Sequence, residues 1–219
     1  MALDRPPVGR AEFWDGLYAR GEDGWELGAP APALADWLDR GGAFVSADAG
    51  RAPRVAVPGC GRGHDAQLLA RGGYQVWGFD FASAAIAEAR ALATREQRPV
   101  TYEQRDIFTL ERDYAGFFDG VWEYTCFCAI DPARREDYAR LVHAILRPGG
   151  LLLACFYPLR DGEDGPPFPM SLFEIERTLT PHFRLLESGP PARSIERRRG
   201  LEWLIRAERR AVDPDGRAC

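Results

Sequence analysis

The stretch Val55-Ala56-Val57-Pro58-Gly59-Cys60-Gly61-Arg62-Gly63 decides the fold. Its first part, from Arg54 to Pro58, is short and β-branched, which is typical of a buried strand. Three glycines at alternate positions follow at once, and they favour a tight turn with positive φ. A helix is predicted from Asp65 to Arg71 and ends at Gly72-Gly73. The stretch therefore predicts a strand, a glycine turn and a helix, the first βα unit of an α/β sheet.

The same alternation continues on both sides of this unit. Upstream, helices are predicted at 11–20 and 33–40. Downstream, the pattern predicts strands at 74–79, 100–105, 117–123 and 151–156, and helices at 83–95, 134–146 and 172–179. Two late alternating segments, 183–187 and 202–209, are typical of antiparallel strands at a sheet edge. We therefore expect one α/β domain over 1–219: a Rossmann-like, doubly wound, mostly parallel seven-stranded sheet with an antiparallel edge hairpin.

Composition narrows the classes of function. A hydrophobic fraction of 46% predicts a folded globule, and a net charge of -5 makes nucleic acid a poor partner. The arginines at 197–199 are flanked by Glu196 and Glu202, so we expect a solvated surface there. Five cysteines without metal-ligand spacing argue against a zinc site or a disulfide framework. Asp4 and Arg5 open a segment with no apolar core, and no run is long enough to span a membrane. These features predict a soluble cytoplasmic protein and leave its oligomeric state undetermined.

Polar residues and glycines meet at the carboxyl ends of the first three strands, where such sheets bind ligands. Gly59, Gly61 and Gly63 allow a ligand close to the backbone. Asp80 ends the second strand and can accept both hydroxyls of a ribose. Asp106 ends the third strand and can meet an adenine edge, on which the neighbouring Ile107 would pack. Together these residues predict an adenosine site, whereas the glycine turn alone is also compatible with a plain βα connection.

The glycine spacing favours one adenosine cofactor over others. Dinucleotide sites use GxGxxG, whereas here the glycines run GxGxG and His64 takes the next position. No Gly-Lys-Ser/Thr of a P-loop follows. S-adenosylmethionine (SAM) has no phosphate to bind, so a looser turn suffices for it. An NAD(P)-dependent oxidoreductase of Rossmann type stays as the alternative enzyme, although the chain lacks a Tyr-x-x-x-Lys pair. A non-catalytic SAM-binding protein is the third possibility.

Several segments resemble the thiopurine S-methyltransferase family, and most closely its halide/thiol methyltransferase branch. The likeness covers nearly the whole chain and lies in the combination of its segments: Val55 to Asp65, Trp14 with Tyr18 and Trp25-Glu26-Leu27-Gly28, Glu123 to Pro132, Gly165-Pro166-Pro167-Phe168, Glu174-Ile175-Glu176-Arg177, and Arg199-Gly200-Leu201-Glu202. The resemblance implies transfer of the SAM methyl group to a small, soft nucleophile such as a thiol or a halide.

The resemblance also implies roles for single residues. Trp14, Tyr18 and Trp25, in a lid segment over residues 1–32, would line the SAM pocket. Gly59 would meet the methionine end, Asp80 the ribose, Asp106 and Ile107 the adenine, and Tyr124 the sulfonium or the ribose. Tyr18 stands where the family often has tryptophan. Tyr124 stands where the thiopurine enzymes tend to carry arginine, which favours the halide/thiol branch.

Methyl transfer from a sulfonium needs alignment and a dry pocket more than a strong base. Tyr157, after the fifth strand, is our candidate for hydrogen-bonding the nucleophile, and its alternative is a core tyrosine with a satisfied hydroxyl. We expect His64 to start a helix and face solvent, and Asp65 to favour that helix N-terminus. Cys126 and Cys128 are expected to be apolar lining. The acceptor stays open among thiols, halides, thiocyanate, thiopurines and oxyanions of selenium or tellurium.

Overall fold

The computed structural model describes residues 6–210, so the predicted domain limits at 1 and 219 lie outside the described residues. Seven strands form one sheet in the order β3-β2-β1-β4-β5-β7-β6. The strands β1 to β5 run parallel, whereas β7 pairs antiparallel with both β5 and β6. Their bounds are β1 Arg54–Pro58, β2 Gln75–Asp80, β3 Thr101–Gln104, β4 Phe118–Tyr124, β5 Leu146–Phe156, β6 Phe183–Gly189 and β7 Trp203–Arg209. The predicted fold class is confirmed.

Seven α-helices accompany the sheet within the described residues: α1 Ala11–Arg20, α2 Pro32–Asp39, α3 His64–Arg71, α4 Ser83–Glu96, α5 Glu111–Tyr114, α6 Arg135–Ile145 and α7 Leu172–Leu179. Two hydrophobic clusters fill the space on the two faces of the sheet. Central strand β1 is buried along most of its length, which explains why its sequence is uniformly apolar rather than alternating. None of the helices between residues 6 and 210 is long and apolar enough to cross a bilayer.

The structure differs from the predicted elements mainly around β5. This strand begins at Leu146 rather than at Leu151, and helix α6 ends at Ile145. Leu146 pairs with Phe118, after which the register shifts before pairing resumes at Leu151. The predicted strand began too late because the segment Arg147-Pro148-Gly149-Gly150 was interpreted as a helix stop, whereas it lies within β5. Helix α5 and the short 3-10 helix Ile107–Thr109 before it were also not predicted.

Candidate active site

A cavity of about 570 Å³ opens at the carboxyl ends of the parallel strands. Its size suits a nucleotide-sized ligand with a small second molecule. All the residues that the sequence singled out for the cofactor or the acceptor line this one cavity: Trp14, Tyr18, Trp25, Gly59, Gly61, Gly63, Asp80, Asp106, Ile107, Tyr124 and Tyr157. The fold thus brings together residues that are spread over more than a hundred positions of the chain.

The glycine turn follows β1, and each of its three glycines has positive φ. A Cβ atom on Gly59 would lie 2.8 Å from the Cβ of Cys126, in the loop after β4. A Cβ on Gly63 would lie 2.3 Å from the hydroxyl oxygen of Tyr102 on β3. At Gly61 the nearest atom would be the hydroxyl of Tyr18, at 3.5 Å, on the lid side. Gly59 and Gly63 are therefore required by packing, whereas Gly61 borders the space that a ligand would use.

Asp80 joins the glycine turn to the end of β2. Its Oδ2 accepts a hydrogen bond from the backbone N–H of Gly61 at 3.0 Å, and its Oδ1 accepts one from Ala82 at 2.9 Å. Burial raises the pKa of Asp80 to about 6, although these hydrogen bonds act to lower it. A carboxylate offers about four lone-pair sites, so Asp80 can still accept a further hydrogen bond.

Asp106 and Ile107 follow β3 and begin a short 3-10 helix. Asp106 Oδ1 accepts from the backbone N–H of Phe108 at 3.0 Å, and no hydrogen bond to Oδ2 is found among the described residues. Ile107 is buried next to the cavity. Next to the end of β3, the cavity is therefore lined by a hydrogen-bond acceptor, Asp106, and by the apolar side chain of Ile107.

The N-terminal aromatics form a cluster over the cavity. Trp25 contacts both Trp14 and Tyr18 edge to face, with ring centroids 5.4 and 5.5 Å apart. Trp14 Nε1 also donates to the carbonyl of Val8 at 2.8 Å, and the cluster packs on Ala82 among other residues. The three rings therefore have partners in one another.

Charged groups hold this segment against the rest of the site. Arg62, within the glycine turn, forms ion pairs with Asp23 and Glu26 of the N-terminal segment and with Glu88 of α4. On the other side, Asp15 accepts from the hydroxyl of Ser83 at 3.0 Å, at the start of α4. The lid segment is thus fixed to the two elements that flank the cofactor end of the cavity.

Arg198 is a cavity residue that sequence reasoning missed. It was taken as part of a solvated run, but only 2% of its surface is exposed and it lines the cavity. Its Nη1 donates to the hydroxyl of Tyr124 at 2.5 Å, and its Nη2 donates to the carbonyl of Trp25 at 2.8 Å. Tyr124 in turn donates to Glu202 at 2.6 Å. The only sequence signal was the spacing to Glu202, since the neighbouring arginines have the same local composition.

Tyr157 follows β5 and faces the same guanidinium group. The Cζ of Arg198 lies 4.5 Å from the centroid of the Tyr157 ring and 5.1 Å from that of Tyr124. The Tyr157 hydroxyl makes no hydrogen bond with any described residue, so the alternative of a core tyrosine with a satisfied hydroxyl is wrong. Tyr157 lines the cavity, and its hydroxyl can still donate and accept a hydrogen bond.

The start of helix α3 differs from expectation. His64 begins the helix, as expected, but it is only partly exposed and lines the cavity, with its Nε2 3.5 Å from Glu26 Oε1. Asp65 accepts from the backbone N–H of Ala31 at 2.6 Å and from Trp122 Nε1 at 2.7 Å. Burial raises the pKa of Asp65, and its two donors act to lower it. Its main contacts are therefore long-range, and a helix N-terminus role alone does not describe it.

The cysteines near the cavity match the expectation of apolar lining. Cys126 and Cys128 are buried and free. Burial raises the pKa of Cys128 to about 12 and that of Cys126 well above its usual value. Both thiols are therefore protonated near neutral pH and are poor nucleophiles.

His143 and His182 are not among the residues that line the cavity, and their ring centroids lie 5.6 Å apart.

Comparison with known proteins identifies the family. The family model for thiopurine S-methyltransferase (TPMT) matches residues 9–209. The chain is 31% identical to the probable thiol methyltransferase 2 of Arabidopsis thaliana over 88% of this chain and 83% of that protein. It is 27% identical to a thiopurine S-methyltransferase of Pseudomonas aeruginosa over 90% of this chain and 96% of that protein.

A solved structure supports the fold. The 1,6-didemethyltoxoflavin-N1-methyltransferase of Burkholderia thailandensis, crystallised with S-adenosylhomocysteine, superposes with a TM-score of 0.71. It is 23% identical and covers 94% of this chain and 93% of its own. The family match sets aside the alternative of an NAD(P)-dependent oxidoreductase. The chain belongs to the thiopurine S-methyltransferase family of enzymes, whose methyl donor is S-adenosylmethionine.

Proposed function

We propose that this enzyme transfers the SAM methyl group to a small, soft nucleophile, a thiol or a halide ion. The observation that carries the proposal is that the rings of Tyr124 at the end of β4, Tyr157 after β5 and Trp25 of the lid segment line the same cavity. Aromatic faces hold a soft, easily desolvated nucleophile and favour a neighbouring sulfonium. The thiol methyltransferase name of the Arabidopsis thaliana relative agrees with this assignment.

The residues at the other end of the cavity fit the adenosine part of SAM. Asp80 would accept the ribose hydroxyls, because a carboxylate can accept further hydrogen bonds beside those from the neighbouring backbone N–H groups. Asp106 would accept from the adenine amino group through its free Oδ2, and Ile107 would pack on the ring. Gly59 would lie at the methionine part, and at Gly61 a side chain would extend toward the Tyr18 hydroxyl on the lid side. When bound, SAM supplies a methyl group on a positively charged sulfur.

Tyr157 would act on the acceptor. Its free hydroxyl can donate one hydrogen bond to an incoming sulfur or halide and so align it for displacement. The Tyr124 hydroxyl would not donate to the acceptor, because it already donates to Glu202 and accepts from Arg198. Burial raises the pKa of Tyr124, so it stays a neutral phenol. The lid residues Trp14, Tyr18 and Trp25 would then exclude water from the reacting atoms.

A methyl-acceptor screen tests the proposal. The enzyme is incubated with SAM and one acceptor from a set of iodide, thiocyanate, an aromatic thiol, a thiopurine, an amine and a carboxylate. Methylated product and S-adenosylhomocysteine are quantified together. We expect iodide and the thiol to give the highest kcat/KM, and Tyr157→Phe to lower kcat for both with little change in SAM affinity. If the amine or the carboxylate is the best acceptor, the proposed acceptor class is wrong.

We also infer that the enzyme acts in the cytoplasm on a small free molecule, without nucleic acid or membrane. All the cysteines between residues 6 and 210 are free, which suits a reducing compartment: Cys60, Cys126, Cys128 and Cys155. Fractionation of the native host, followed by an assay for SAM-dependent iodide methylation in each fraction, tests this inference.

A further inference from the structure

The loop that joins α1 to α2 contains two glycines with positive φ. Gly21 has a φ of 65° and Gly28 a φ of 66°, and a Cβ atom at either position would meet nothing within 4 Å. Helix α1, before this loop, is docked, because Phe13 and Leu17 are buried in one cluster with Ala82. Backbone rotation at the two glycines would therefore move residues 21–28, here called the lid loop, while α1 stays in place.

Arg62 holds two carboxylates of the lid loop. Its Nη1 forms an ion pair with Asp23 and lies 3.5 Å from Glu26 Oε2. Its Nε pairs with Glu88 of α4, which is not part of the loop. The side chains of Arg62 and Asp23 are only 23% and 16% exposed, so water screens this pair less than a pair on the open surface. One guanidinium group thus joins the lid loop to the body of the enzyme.

Arg62 extends from the part of the chain that we propose for the cofactor. Its backbone lies within the glycine turn, where the N–H of the preceding Gly61 donates to Asp80 at 3.0 Å. Its Cζ lies 5.3 Å from the centroid of the Tyr18 ring, and both side chains line the cavity. The group that holds the lid loop is therefore attached to the turn that the loop covers.

The other contacts between the lid loop and the body depend less on permanent charge. Two arginines of the segment before β7 donate to carbonyl oxygens of the loop, at 2.8 and 3.4 Å. His64 Nε2 lies 3.5 Å from Glu26 Oε1, a contact that is ionic only when the imidazole is protonated. Within residues 6–210, Arg62 is the only arginine that forms an ion pair with Asp23 or Glu26.

We propose that Arg62 is a positioning residue for the cofactor: through Asp23 and Glu26 it holds the lid loop closed, and SAM enters and S-adenosylhomocysteine leaves when these ion pairs break. The inference rests on the proposed function, because it concerns the lid that we propose to exclude water. The ion pairs join protein groups to one another and not to the cofactor, so they stabilise the closed loop with or without it. Such contacts change the rates of entry and release together and leave the binding equilibrium nearly unchanged.

Exchange of S-adenosylhomocysteine in the absence of an acceptor is the direct test. Trp14 and Trp25 line the cavity, so intrinsic fluorescence in a stopped-flow instrument follows binding. The dependence of the observed rate on concentration gives the association and dissociation rate constants, and calorimetry gives Kd. The variants are Arg62→Met, which is neutral, Arg62→Lys, which keeps the charge, and Asp23→Asn, which alters the partner in the loop.

Arg71→Met is the matched control. Arg71 pairs with Glu96 at 3.4 Å and so joins α3 to α4, but it does not line the cavity. We expect its loss to leave both rate constants unchanged. Thermal unfolding of every variant is measured in parallel, because a merely structural arginine at position 62 would lower Tm and leave the exchange rates as they are.

We expect Arg62→Met to raise both rate constants by about tenfold, the loss expected for a partly buried ion pair, and to change Kd by less than about threefold. Arg62→Lys should lie between Arg62→Met and the unmodified enzyme. Asp23→Asn should accelerate exchange less than Arg62→Met does, because Glu26 keeps its partner. Adding Asp23→Asn to Arg62→Met should have no further effect, since both changes remove the same contact.

Unchanged rate constants in Arg62→Met would overturn the inference. A weaker Kd with an unchanged association rate would also overturn it, because a direct contact with the cofactor has that effect. If Arg62→Met does not fold, Asp23→Asn decides, since exchange at the rate of the unmodified enzyme in that variant contradicts the proposed role. Failure of the proposed function is distinguishable: exchange would still depend on Arg62, yet neither iodide nor a thiol would be methylated.

Discussion

SAM binding is expected to weaken in acid because of a single carboxylate. Burial raises the pKa of Asp80 to about 6, the backbone N–H groups of Ala82, Gly61 and Phe81 act to lower it, and the nearby carboxylate of Asp15 acts to raise it further. Ribose hydroxyls donate to a carboxylate, so bound SAM favours the ionised form. Asp80 must therefore lose its proton when SAM binds at a pH below about 6. Affinity should be constant above that pH and fall as the pH decreases through it.

The magnitude follows from the pKa. At pH 5 about nine in ten free enzyme molecules carry a protonated Asp80, so the apparent affinity should be about tenfold lower than at pH 7. The same linkage requires release of about half a proton per SAM bound at pH 6. Asp80→Asn removes the titration and one charge-assisted acceptor, so its SAM affinity should be about 10- to 100-fold lower at neutral pH and nearly independent of pH.

Calorimetry of SAM binding between pH 5 and 7, in two buffers of different ionisation enthalpy, gives both the affinity and the number of protons released. His64→Gln is the matched control, because His64 is the one histidine of the described residues that lines the cavity. Its profile should keep the decrease in affinity below pH 6. A decrease that persists in Asp80→Asn, or disappears in His64→Gln, would refute the assignment to Asp80.

Four further predictions concern other parts of the molecule. Burial raises the pKa of Glu123 from 4.5 to about 7, so between these pH values the folded state holds a proton that the unfolded state has lost. The free energy of unfolding should therefore fall by about 3 kcal/mol as the pH rises from 4.5 to about 7. In denaturant titrations, Glu123→Gln should remove this contribution to the pH dependence of stability. Gly59→Ala should lower both Tm and SAM affinity, because its Cβ would meet Cys126 at 2.8 Å, whereas Gly116→Ala, at a similar positive φ in open space, should lower Tm less. Amide hydrogen exchange over 10–30 should slow when SAM is added, and equal protection would contradict the lid role. With saturating SAM and above about pH 7, where Asp80 is already ionised, the rate of thiol methylation should rise with pH up to the acceptor's own pKa while that of iodide stays flat, and a shared ionisation in that range would instead indicate an enzyme base.

The sheet could be predicted because its information is local. Each parallel strand is a short apolar run, and each glycine turn or helix stop lies beside it in the sequence. The start of β5 was missed because it depends on a contact that is distant in the sequence. Leu146 joins the sheet through its pairing with Phe118, while the intervening Pro148 and two glycines give a local signal of a chain leaving regular structure. The pairing of Leu146 with Phe118 therefore determines where β5 begins, and the local turn signal does not.

The site was predicted where its residues follow strand ends, and missed where burial depends on distant contacts. Asp80 and Asp106 were found because topology alone brings strand ends together. Arg198 was not, because its neighbours Arg197 and Arg199 are the same residue type and are exposed. What distinguishes it is contact with Tyr124 and Trp25, far away in the sequence, and such contacts leave no local pattern.

The distribution of charge along the cavity suits the reaction that we propose. Asp80 and Asp106 line the cavity at the end that we propose for the adenosine. When the methyl group passes from a sulfonium to an anion, both of these charges are lost, so a dry cavity favours the reaction but opposes the binding of both charged reactants. In the proposed reaction the carboxylates would offset that cost for the cation, and the aromatic rings that line the cavity would exclude water from the reacting atoms.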